Sequence, residues 1–138
     1  MTATDASTPA QMIEAAPRDV EFVSPMPGLS PYTTFRLEPI GGAAGLYALR
    51  ATDADVRLFL LDARTADVDY DPVFSAGVRD EIGAVEPLDI RVFVVANPSD
   101  GGVFVNLRAP LIVHAETGAA AQVILDDPSY PFRALLGA

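Results

Sequence analysis

The chain has 138 residues, half of them hydrophobic, enough for the core of one domain and too apolar for a disordered polypeptide. Nineteen acidic side chains stand against nine basic ones, all arginine, for a formal net charge of -10; such a field repels phosphate backbones and anionic lipid, so neither nucleic acid nor membrane is expected to bind directly. Cysteine is absent, which excludes disulfides, thiolate metal sites and cysteine nucleophiles.

Met1 to Pro9 is small and polar with nothing to bury, and is expected to be a disordered tail ahead of a single domain spanning 10–138. Gln11-Met12-Ile13-Glu14 reads as a weak first strand and Val20-Glu21-Phe22-Val23 as a second. Three prolines and a glycine between Ser24 and Pro31 predict a stiff, irregular loop. Thr33 to Leu37 is β-branched and aromatic, a strand ended by Pro39 and the Gly41-Gly42 loop. Leu46 to Arg50 and Arg57 to Leu61, joined by the turn residues Thr52 to Asp55, form a predicted hairpin. Ser75 caps one short helix that Gly83 ends. Asp89 to Ala96 is apolar at nearly every position, the pattern of a strand covered on both faces, and Asn97 to Gly102 reads as a turn.

Val103 to Arg133 holds three apolar, β-branched runs separated by Arg108-Ala109-Pro110 and Glu116-Thr117-Gly118, and most of the core should come from here. Seven or eight short strands with turn signals every ~8–12 residues predict an all-β, mainly antiparallel barrel or sandwich with one short helix. No apolar run approaches the ~18 residues of a membrane span and the amino terminus lacks a secretory pattern, so a soluble cytoplasmic protein is expected.

Chemistry finds few footholds. Asp67, Asp69 and Asp71 alternate like the opening of a calcium loop, but the sixth and twelfth positions, which need glycine and a bidentate glutamate, are Pro72 and Val78. The three read as a solvated acidic ridge or a partner-facing one. His114 is the single histidine, so a hydrolase would pair it with Ser24, Ser30, Ser75, Ser99 or Ser129; none lies in a nucleophile elbow, and a structural role is expected. One histidine gives no zinc triad, and Gly41 to Gly45 matches no nucleotide-binding spacing, so no metal or cofactor is expected. Asn106 and Arg108 share one face of a strand ahead of Pro110, where polar groups either tie up the backbone at a bend or meet a partner.

Asn106-Leu107-Arg108-Ala109-Pro110 with its aliphatic run, then Gln122-Val123-Ile124-Leu125, then Tyr130 and Arg133, resembles the carboxy-terminal signature of the FliW flagellar assembly factors. Phe22 with Pro27-Gly28-Leu29, Leu46 to Asp55, and Asp69-Tyr70-Asp71-Pro72 are similar to further segments of that family, whereas His114 and Arg50-Ala51 differ from its common Asn and Gln-Ser. The resemblance implies a small FliW-like pseudo-barrel, monomeric, without cofactor and not an enzyme. It also implies two partners: the translational regulator CsrA, a small basic RNA-binding dimer whose repression of flagellin synthesis is relieved, and flagellin itself, in a partner switch. The partner-binding candidates are Asp67, Asp69, Asp71, Asn106 and Arg108. The rival readings are a flagellin-binding chaperone without a translational role and a small hydrolase built on His114.

Overall fold

Hydrogen-bonded pairing of apolar strands closes a barrel. In the computed structural model, which describes residues 17–42, 44–66 and 70–136, nine strands run in the order β1 (Arg18–Phe22), β2 (Thr34–Pro39), β3 (Leu46–Ala51), β4 (Arg57–Asp62), β5 (Ile90–Ser99), β6 (Gly102–Val105), β7 (Leu111–His114), β8 (Ala119–Gln122) and β9 (Ala134–Leu135). Two short helices, α1 (Ala63–Ala66) and α2 (Ala76–Glu81), separate β4 from β5. Pairing runs β4-β3-β2-β1-β8-β7-β5 and returns from β5 to β4, closing seven strands into a ring that β6 and β9 extend from β5. Every pairing is antiparallel except β1 with β8. The expected barrel, mainly antiparallel, is therefore the observed one.

The inward positions form one cluster that includes Val20, Phe22, Phe35, Leu37, Tyr47, Leu49, Leu60, Phe93, Leu111 and Val113. Their period of two is the sequence signature of a strand with one face in the core. Edge-to-face contacts, each with centroids 5.4 Å apart, join Phe22 to Phe35 on the neighbouring β1 and β2 and Tyr47 on β3 to Phe93 on β5, across β4. Two further clusters lie outside the barrel. Phe74, Val78 and Ile82 of the α2 region cover Ile112 and Ala121, and the carboxy-terminal segment through Tyr130, Ala134 and Leu136 covers Leu61, Val94, Ala96 and Val105. β5 is apolar on both faces because it faces the interior and an outer layer at once, as its unbroken hydrophobic run predicts.

Four expectations need correction or bounding. The predicted strand at Gln11 to Glu14, like the tail before it, falls outside the described residues. Asn97 to Ser99 do not turn: they continue β5 against β6, with Asn97 opposite Phe104 and Pro98 opposite Val103. Val95 accepts from the Asn106 amide, so alternate residues of β5 direct their backbone toward β6, and Pro98 faces the other edge, where pairing with β4 has stopped at Ala96. Pro39 likewise lies within β2 as its last paired residue, opposite Tyr47. Finally, a second helical turn, α1, follows β4; the buried Asp62 caps it, accepting from the Arg64 amide at 2.9 Å while its other oxygen meets the Arg64 guanidinium at 3.2 Å.

Candidate functional site

β6 and β7 occupy the same edge of β5: Val105 pairs with Ala96 and Leu111 with Phe93. The chain must therefore leave that edge and rejoin it within Asn106 to Pro110, which exposes a run of backbone groups to be satisfied from elsewhere. Asn106 Oδ1 accepts from the amides of Arg108 and Ala109, each at 3.1 Å. The Leu107 carbonyl accepts from the Tyr70 hydroxyl at 2.7 Å, and the Leu107 amide donates to Pro131 at 3.0 Å. Gln122 donates its side-chain amide to the Ala109 carbonyl at 3.2 Å. Val123 and Leu125 donate their backbone amides to the carbonyls of Pro110 and Arg108, so of the predicted strand at Gln122 to Leu125 only Gln122 lies in β8 and the rest is a hydrogen-bonded strap along the bend.

Arg108 acts outward from the same bend. Its Nε donates to the Tyr130 carbonyl and its Nη2 to the Pro128 carbonyl at 3.1 Å, while the guanidinium lies 4.8 Å from the Phe132 ring centroid. Tyr130 in turn stacks edge-on against Tyr70 with centroids 5.2 Å apart. Burial, reinforced by Tyr130, pushes the Tyr70 phenol well above the ordinary tyrosine range, so it stays a donor. Asn106, Arg108, Gln122 and Tyr130, distant in sequence, thus meet in one knot that fastens the carboxy-terminal segment over the outer cluster. Tyr70 was missed as a member because only the fold brings it to Leu107; a buried hydroxyl needing a partner was its one signal.

The acidic triple is only partly visible. Asp67 and Asp69 lie outside the described residues, whereas Asp71 is exposed on the rim of a groove formed with Pro72, Val73, Phe74, Arg79 and Ile90. Val73 and Leu88 near α2 are almost fully exposed, at 87% and 92%. Ser75 caps α2 as predicted, its hydroxyl accepting from the Val78 amide at 3.2 Å.

His114 ends β7 and is 6% exposed. Its Nδ1 accepts from the amides of Glu116 at 3.1 Å and Thr117 at 3.3 Å, so the ring organises the turn into β8. Arg18 clamps that turn from β1, donating to the carbonyls of Ala115 and Glu116. Gly118 finishes it at φ +82, where an added Cβ would lie 2.5 Å from the Asp19 carbonyl oxygen. Among the described residues no group of three or more His, Asp or Glu side chains is placed to hold a metal ion, and no helix is long and apolar enough to cross a membrane.

Comparison with known proteins agrees with this architecture. A solved structure described as the crystal structure of the flagellar assembly factor FliW superposes with a TM-score of 0.79, covering 87% of this chain and 86% of that one at 17% identity, which establishes the shared fold. The flagellar assembly factor FliW of an Exiguobacterium species is 30% identical over 122 residues, or 86% of this chain and 83% of that protein. That of Thermotoga maritima is 31% identical over 109 residues, 77% of this chain and 68% of the relative. The sequence profile of the family described as FliW protein matches residues 4–136. With nearly its whole length matched and the barrel shared, the chain belongs to the FliW family of flagellar assembly factors.

Proposed function

We propose that the chain serves flagellar assembly by holding other proteins: a CsrA-type translational regulator, whose repression of flagellin synthesis it relieves, and flagellin, which competes for it. The observation that carries this reading is the match of residues 4–136 to the assembly-factor family. The charge supports it, since a domain of net charge -10 accelerates encounter with a small basic protein and repels the RNA that protein binds. The reading is non-enzymatic, cytoplasmic and monomeric. The arrangement of His114 agrees, because its Nδ1 is engaged by two turn amides. In this reading Asp67, Asp69 and Asp71 face the regulator's basic surface. Asn106 and Arg108 act on either partner through the surface that their bend shapes.

The test is the association rate of the purified chain with a purified CsrA-type regulator and, separately, with flagellin. Both are expected to bind, and Asp67→Lys with Asp69→Lys should slow association with the regulator at low salt. Binding of flagellin alone would reduce the function to a flagellin chaperone. An unchanged on-rate would remove the acidic ridge from the interface.

A further inference from the structure

Strand register builds a basic row that no stretch of the sequence displays. Asp19 stands opposite Arg36, Arg36 opposite Arg50, and Arg50 opposite Arg57. Three of the nine arginines of an acidic chain therefore lie side by side, all exposed, across the outer face of β2, β3 and β4. Like charges directly opposite one another destabilise a sheet, so such a row needs compensation. Arg36 meets Asp19 at 3.0 Å and Glu38 at 3.8 Å, and Arg50 meets Glu38 at 3.8 Å. Arg57 has no carboxylate at ion-pair distance among the described residues; it rests over the Phe59 ring, 5.0 Å from the centroid.

Phe59 also belongs to what lies beside the row. Along the same outer face the next level is Glu38, Ala48, Phe59 and Ala96, and the next is Leu46, Leu61 and Val94. Of these, Leu46, Phe59, Leu61 and Ala96 line a groove of about 470 Å³ with an almost wholly apolar lining, completed by Ile40, Val103 and Leu136. An apolar trough beside a cation without a carboxylate favours one chemistry, because an acidic segment gains a pair with Arg57 that a basic or purely apolar one does not.

We propose that this groove docks an acidic amphipathic segment of another polypeptide, apolar side chains seated against Phe59 and Leu61 and carboxylates paired with Arg50 and Arg57. The site is independent of the regulator reading. Its lining shares no residue with the groove on whose rim Asp71, the described member of the acidic triple, lies.

The experiment is fluorescence anisotropy of the full chain with a labelled amphipathic helix of about 18 residues built from leucine and glutamate, against the same peptide with lysine at every glutamate. The acidic peptide should bind at least ~10-fold more tightly than the basic one, and Arg50→Glu with Arg57→Glu should reverse the preference. Leu136→Asp should weaken the acidic peptide by a similar factor while leaving circular dichroism unchanged. Equal binding of both peptides, or acidic binding indifferent to the double variant, would overturn the proposal. So would self-association of the chain that the same substitutions abolish, since it would assign the groove to a second copy.

Discussion

Tyr70 shows how much rests on single polar atoms in this fold. Replacing it with Phe keeps the ring and the contact with Tyr130 but leaves the Leu107 carbonyl without its 2.7 Å donor; a loss of about 1–3 kcal/mol in urea unfolding is expected. The pH dependence follows from the raised folded pKa of this phenol. A tyrosine in the unfolded chain titrates near ~10, so the stabilisation is complete below that pH and is lost as the pH climbs toward the folded value. The stability gap between wild type and Tyr70→Phe should therefore narrow above pH ~10; a gap that stays constant would contradict the assignment. Gly118 is the other sensitive point: Gly118→Ala combines a left-handed backbone with a Cβ 2.5 Å from a backbone oxygen, and should cost more than about 1 kcal/mol by the same measurement. The local work of Asn106 and His114 was legible in the sequence, because the amides they bind lie two or three residues on. That of Arg108 was not, since the carbonyls it binds lie 20 and 22 residues away.

Strands and caps were the most legible level. β1 and β2 alternate as strands with one face in the core, β3, β4 and β7 are legible as apolar runs, and Ser75 announces α2; Ser75→Ala should lower stability by about 1 kcal/mol, and an unchanged denaturation midpoint would show that α2 is held by packing alone. Asn97 to Ser99 misled because Asn, Pro and Ser favour turns locally, whereas here β6 supplies a partner and the one missing amide faces an edge where pairing has ended. α1 could not be read because a single turn capped by Asp62 carries no periodicity. The arginine row was invisible for a different reason: Arg50 and Arg57 are placed symmetrically about the Thr52 to Asp55 turn, so the hairpin register implies that they face each other, but Arg36 joins only through the third strand.

Over the whole molecule, the barrel is a rigid interior with two apolar outer layers, one under α2 and one under the carboxy-terminal segment. The knot at Asn106 to Pro110 decides whether the second layer stays in place. Asn106→Ala removes the acceptor for two amides and should release the 126–136 segment, read as faster amide exchange there than in β1 to β4. The charge of -10 belongs to this scale too: association with a basic partner should slow as salt is raised, whereas a contact made through the apolar groove should keep its apolar part and lose its preference for acidic over basic segments. The most direct measurement is a three-component titration in which the chain is added to a CsrA-type regulator bound to flagellin leader RNA, followed by flagellin. The account predicts release of RNA on the first addition and its recapture by the regulator on the second. RNA that stays bound throughout, with flagellin making no difference, would contradict it.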